Sequence, residues 1–298
     1  MEDWLLFAFL APLVWACVNI IGKFLVDKHL TNPYVLNAYV NITFFALTVP
    51  VALFFGLMFE PYYVVIALIG GVLGFGANLL FTMSLKVEEA SRVVPLSFLY
   101  PAFTALFAFL LLGETVGPLR YVGAALLILG SVLVSLRGGF KGIIISPALK
   151  FMIVENVLLG LVVISEKFTL SGMSTYSTLF WVNLGLALAS AVSILISRQN
   201  RADSVTALAA SKRICGLVWL DGAFTVIAVL FFYAALAVGP ATLVSAINAT
   251  QPFYALVIVI LLSYFMPRIL KEEHTKGTLF LKLLAIAAVF LGTYLIAM

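Results

Sequence analysis

Ten apolar stretches fill this chain almost end to end: residues 4–26, 34–59, 61–85, 91–112, 118–136, 148–168, 174–197, 214–238, 241–266 and 278–298. Each has the roughly 20 residues that a helix needs to cross the hydrocarbon core of a bilayer. Little chain remains outside them, so there is no room for a soluble catalytic domain. Barrel strands would be far shorter and would alternate apolar with polar side chains, which these stretches do not. Only 10% of the 298 residues are charged, against about 25% in a soluble domain. The sequence therefore specifies an all-α polytopic membrane protein with ten transmembrane helices.

Charge predicts how the helices are inserted. The first charges are Glu2 and Asp3, whereas a cleaved leader needs a basic start, so residues 4–26 are expected to be a permanent span. With ten spans, both termini and the even-numbered loops share one side, which holds only Arg120 and Lys167 of the 17 basic residues. The other fifteen lie at the odd-numbered loops: Lys23, Lys28, Lys86, Arg92, Arg137, Lys141, Lys150, Arg198, Arg201, Lys212, Arg213, Arg268, Lys271, Lys276 and Lys282. The positive-inside rule puts the odd loops in the cytoplasm of a cell with both termini outside its plasma membrane. The net charge of +4 is thus a topology signal. It forms no basic patch on a polar surface, and nucleic acid is not an expected partner.

The chain also repeats itself. LKVEEASRVVPLSFLYPAF, from Leu85, is echoed by LAVGPATLVSAINATQPFY, from Leu236, at an offset of 151 that pairs Pro101 with Pro252 and Phe103 with Tyr254. Lys23-Phe24 answers Lys167-Phe168, Tyr34 answers Tyr176, Val40-Asn41 answers Val182-Asn183, and the LGS of 129–131 answers the LGT of 291–293. The order holds through five pairs of spans, which divides the chain into repeats at 1–137 and 138–298. A repeat with an odd number of spans must enter the membrane from the opposite face in its second copy. Inverted repeats of this kind point to secondary transport, because two such halves can exchange inward- and outward-facing shapes around a midplane site. One chain holds both halves, so a monomer is sufficient.

At this point a family resemblance becomes specific. LVWACVNIIGKF in span one, EEASRVVPLSFLYPAFTALFAFLLLGE in span four and GPLRYVGAALLILGSVLVS in span five resemble the EamA branch of the drug/metabolite transporter superfamily. The resemblance implies a ten-helix basket with a central cavity that exports small metabolites, often amino acids. Two features depart from it. Span nine ends in SYFMPR and lacks the Gly113-Glu114 pair that closes span four. Family members are also drawn with both termini in the cytoplasm, the reverse of what these charges indicate.

Prolines inside spans mark the candidate site. A proline within a helix removes a backbone hydrogen bond and costs roughly 3 kcal/mol or more. At membrane depth such freed backbone is tolerated where it is buried in protein or lines a wet cavity. Pro101 and Pro252 follow Tyr100 and Gln251, and three residues before these lie Ser97 and Asn248. A spacing of three puts each polar pair on one helix face, so spans four and nine are expected to break where substrate binds. Trp15 with Asn19, Asn78 with Thr82, and Asp221 with Thr225 form further i, i+4 pairs, which either line the cavity or join helices. Asn37, Asn41 and Asn183 read as interhelical contacts, and Gly70 with Gly74 as a small-residue helix contact. Glu155 and Asp221 each lie seven positions into a span, about 10 Å deep at 1.5 Å per residue. An acid at that depth is a functional candidate, and these two are the candidate proton-coupling residues.

Absences narrow the solute. No lysine or arginine lies mid-span, so phosphorylated sugars, which need buried cations, fit poorly. A neutral or zwitterionic solute such as an amino acid fits better, with Trp15, Tyr100, Phe103 and Tyr254 available for apolar or cation–π contact. His29 and His274 fall in loops, the spans contain no histidine, and neither a metal site, a cofactor nor a hydrolytic triad can be assembled. The expectation is a secondary transporter rather than an enzyme. Its rivals are a cationic-drug exporter of the same fold, a pore, and a non-transporting scaffold or sensor.

Overall fold

The computed structural model describes residues 3–26, 32–88, 90–135, 148–208, 212–265 and 276–298. Lys28, His29, Arg137, Lys141, the Met266–Arg268 end of SYFMPR, Lys271 and His274 lie outside the described residues. Helix is the sole regular structure among those described. In order the elements are α1 (Asp3–Val26), α2 (Pro33–Phe55), α3 (Pro61–Val87), α4 (Ala90–Ser97), α5 (Tyr100–Leu112), α6 (Pro118–Ser135), α7 (Leu149–Leu170), α8 (Thr175–Ile196), α9 (Arg198–Leu208), α10 (Lys212–Val238), α11 (Ala241–Asn248), α12 (Gln251–Phe265) and α13 (Lys276–Ala297).

Local chemistry sets many of the ends. The Asn32 side chain accepts from the Tyr34 amide with Pro33 in the first turn, and Ser174 caps α8 through the Ser177 amide. Both are preferred N-terminal arrangements because they satisfy an amide with no partner inside its helix. Gly113 closes α5 at φ 64°, a left-handed conformation that glycine adopts without a Cβ penalty. Among the described residues, six segments are long and apolar enough to cross a membrane: Trp4–Ile21, Pro33–Phe55, Pro61–Val87, Thr175–Ile196, Gly216–Val238 and Ala241–Ile258. Three shorter apolar helices accompany them, Tyr100–Leu112, Pro118–Leu133 and Leu284–Ile296. The α7 helix is equally long but carries Lys150, Glu155, Glu166 and Lys167. Outward faces hold Leu53, Phe54, Phe59, Phe109, Leu110, Leu111 and Ile196 in the open, a surface that suits lipid rather than water. The protein is a multi-pass membrane protein.

The largest helix contacts join the first half of the chain to the second. They are α1 with α10, α6 with α13, α3 with α7 and with α8, α2 with α8, and α5 with α7. Exchanging the halves turns one pair into another. α1 against α10 becomes α7 against α3, α3 against α8 becomes α10 against α2, and α5 against α7 becomes α12 against α1, which also touch. One core therefore runs through both halves, from Trp4 and Leu5 to Leu243, Val244 and Ile247. The polar helix α9 has no matching element in the first half. The Asn32 Nδ2 holds it by reaching Asn200 Oδ1 at 3.0 Å and Asp203 Oδ2 at 2.7 Å, and the Tyr39 hydroxyl donates to the Ser204 carbonyl at 3.1 Å.

Glycine lets three crossings close up. A Cβ on Gly71 would collide with the Val182 carbonyl of α8, and one on Gly185 with the Leu68 carbonyl of α3. Gly123 and Gly292 face each other's carbonyl oxygens across α6 and α13, at 2.8 and 2.7 Å from where their Cβ atoms would stand. Gly70 meets Ser165 of α7, whereas Gly74 has the looser contact, Leu186 Cδ1 at 3.3 Å. The tight member on the α8 side is thus Gly71, because the backbone approach falls on the neighbouring face. Asn41 does join two helices, donating to Ser190 Oγ at 2.9 Å, and Asn37 donates to Thr82 Oγ1 at 3.0 Å. Asn183 donates to Leu179 O of its own helix.

Gly71→Val should push α3 off α8 and lower the melting temperature in detergent, with about 1–3 kcal/mol of overpacking strain. Gly216→Ala, where a Cβ meets nothing within 4 Å, should leave the melt unchanged or raise it. Equal behaviour of the two variants would refute the close α3–α8 crossing.

Candidate functional site

Two helices break inside the protein, at matching places. α4 stops at Ser97 and α5 starts at Tyr100; α11 stops at Asn248 and α12 starts at Gln251, 151 residues later. Across the first break Leu99 N bonds Leu96 O at 3.2 Å and Ala102 N bonds Leu99 O at 3.0 Å. Across the second, Thr250 N bonds Ile247 O at 3.0 Å and Phe253 N bonds Thr250 O at 2.9 Å. The two sets of residues are the same at that offset. Each break replaces the i−4 pattern with i−3 bonds just before a proline, whose missing N–H removes one donor.

The break separates side chains that a continuous helix would align. Ser97 Oγ donates to Glu155 Oε1 of α7 at 3.1 Å. Tyr100 turns to the other half, where its hydroxyl donates to Ser245 O at 3.3 Å and accepts from Asn248 Nδ2 at 3.1 Å. The spacing of three therefore does not give Ser97 and Tyr100 a common face, because the helix axis is interrupted between them. Gln251 Oε1, at the start of α12, accepts from Asn19 Nδ2 of α1 at 3.1 Å, and Trp15, one turn before Asn19, packs half-buried against the main core.

The remaining candidates stand apart from the breaks. Asn78 is exposed, and its carbonyl accepts from Thr82 Oγ1, which is itself tied to Asn37. Asp221 is buried, and its carbonyl accepts from Thr225 Oγ1 at 2.8 Å. No described hydrogen bond links Asp221 to Glu155.

Four polar side chains make contacts that the sequence does not announce. Asn156, next to Glu155, donates to Leu96 O at 3.0 Å and to Met152 O at 2.6 Å, so it finishes the C-terminal end of α4. Glu166, a further buried acid on α7, accepts from the buried Tyr233 hydroxyl at 2.9 Å. Glu114 accepts from the Ala241 and Thr242 amides at 2.8 and 3.0 Å, and so caps α11 from the opposite half. Beside it Lys167 donates to Leu236 O at 2.7 Å and Gly239 O at 2.9 Å, closing α10. Lys167 thus turns inward to backbone carbonyls instead of stretching to the membrane interface. A signal existed for these caps. The Gly239-Pro240 step must end one helix and begin another, and ends buried in protein need charged or polar partners. Gly239 also lies against the Trp4 indole, 2.6 Å from where its Cβ would be, so Trp4, Glu114 and Lys167 gather around the Gly239-Pro240 turn.

Comparison with known proteins gives three results. The EamA-like transporter family matches residues 3–136. A crystal structure, titled only as that of a protein, is similar over 99% of this chain and 99% of its own, with TM-score 0.74 and 16% identity. At that identity the likeness concerns the fold alone, and it extends through the half that the family match leaves out. No curated protein matches.

Removing the Glu114 cap should be measurable. Glu114→Ala should cost about 1–2 kcal/mol, the range for losing a helix N-cap or a charge on the helix dipole, and Glu114→Gln less. Thermal melts in detergent would show it. A melt for Glu114→Ala equal to wild type would contradict a cap made by both carboxylate oxygens.

Proposed function

We propose that this chain, whose residues 3–136 match the EamA-like transporter family, is a secondary active transporter of the drug/metabolite transporter superfamily that exports small neutral or zwitterionic metabolites such as amino acids. Its ten transmembrane helices form two inverted five-helix repeats, residues 1–137 and 138–298. The repeats work by alternating access in a plasma membrane, with odd-numbered loops in the cytoplasm and both termini outside. The counterpart spans are α1 and α7, α2 and α8, α3 and α10, α4–α5 and α11–α12, and α6 and α13.

The observation that carries this reading is the pair of matched helix breaks. Each break sets the carbonyl end of one short helix beside the amide end of the next. A carbonyl end attracts positive charge and an amide end negative charge, so the two together suit a solute that bears both. The exchange symmetry of the helix contacts supports two interchangeable halves. The polar side chains at the breaks, Ser97, Tyr100, Asn248 and Gln251, are neutral, which suits a solute with no net charge. Trp15, Asn19, Asn78, Thr82 and Thr225 complete the proposed lining. Glu155 and Asp221 carry protons in exchange for the solute.

The test is counterflow and gradient-driven flux of a labelled amino-acid mixture with the purified protein in liposomes. Wild-type protein should show saturable counterflow and should concentrate label against an imposed pH gradient. Asp221→Asn should keep counterflow but lose the gradient response, and Glu155→Gln should lose the gradient response as well. Absence of saturable counterflow would remove the transport reading; undiminished coupling in both variants would remove the proton.

A further inference from the structure

The polar atoms around the end of α4 do not balance. Glu155 is 3% exposed and Asn156 is 2% exposed. Glu155 Oε1 takes the Ser97 hydroxyl proton, and the Asn156 amide nitrogen spends both its protons on Leu96 O and Met152 O. Glu155 Oε2 and Asn156 Oδ1 have no hydrogen-bond partner among the described residues. Two buried acceptors are therefore left over among the described residues. A buried acceptor without a donor costs about 1–3 kcal/mol, and more when it is charged. Both residues approach consecutive positions of α4, Leu96 and Ser97, at its C-terminal end, the negative end of the helix dipole. No lysine, arginine or histidine among the described residues bonds either oxygen.

We propose that the C-terminal end of α4 with Glu155 Oε2 and Asn156 Oδ1 is a subsite for the protonated amino group of the solute. This rests on the transport reading and names the chemistry of its site. An ammonium supplies three N–H donors and no acceptor, which is the complement of what is missing. A carboxylate would add acceptors to acceptors and meet a like charge. A lone hydroxyl would bring one proton to two oxygens. Positive charge is further favoured by the half-helix end, in the way unwound carbonyl ends coordinate cations in other transporters. Leu96 and Met152, buried in one cluster beside Glu155 and Asn156, supply an apolar wall for a ring attached to the amine.

The probes are phenethylammonium and 3-phenylpropionate, which share a ring and differ in charge. With the full chain in detergent, phenethylammonium should raise the melting temperature saturably and 3-phenylpropionate should not. Glu155→Gln keeps an acceptor for Ser97 and should weaken that response about ten- to a hundredfold, the loss of one charged hydrogen bond. A second readout uses wild-type protein: phenethylammonium should protect Glu155 from dicyclohexylcarbodiimide, scored by peptide mass spectrometry, and 3-phenylpropionate should not. An equal response to the anion, undiminished binding by Glu155→Gln, or labelling of Glu155 indifferent to the amine would each overturn the subsite. Amine binding with no counterflow would remove the transport reading and leave the subsite standing. Counterflow with no amine effect would do the opposite.

Discussion

A backbone carbonyl or amide released from a helix inside a bilayer has no water to turn to, and leaving it bare costs several kcal/mol. The interior of this protein is organised around that constraint. α10 ends and α11 begins within three residues, and α4 and α11 both stop mid-protein. Each of these ends is met by a side chain from another segment of the chain. Glu114 serves the start of α11 and Lys167 the end of α10; Asn156 serves the end of α4 and Tyr100 the end of α11. Take these partners away and the breaks become defects; with them, the breaks are stable features.

The same bonds tie the halves of the chain together. Glu114 lies in the first half and caps a helix of the second, while Asn156 lies in the second and finishes a helix of the first. Glycine pairs let backbones from opposite halves touch, as at Gly123 and Gly292. The two faces are not equivalent. Trp4, Glu114 and Lys167 gather around the Gly239-Pro240 turn, and the position 151 residues after Glu114 is Phe265, which has no carboxylate to offer.

Several of these features were legible in the chain itself. Pro101 and Pro252 announced the breaks, because a missing N–H disrupts a helix wherever it stands. Glu155 was visible as a carboxylate in an apolar run. Glu166 and Lys167 were harder to read, since residues so near a helix end are expected at the interface. Here the overlying turn buries Glu166 against Tyr233 and draws Lys167 to carbonyls. The helix α9 was hidden in a charged link because its polar surface carries no apolar period, and it is anchored through Asn32, Asn200 and Asp203 instead.

What the sequence by itself determined is what local chemistry and repetition control: helices long enough for a bilayer, the echo of residues 85–103 at 236–254, the places where proline forbids continuity, and the Gly-Glu end of α5. Only the tertiary structure decided who answers each loose end. Ser97 and Tyr100 are three residues apart, yet one reaches Glu155 of α7 and the other Ser245 and Asn248 of α11. Spacing along a chain predicts a shared face only while the helix continues. Once it breaks, direction is set by the helices packed around it, and those come from the distant half of the sequence.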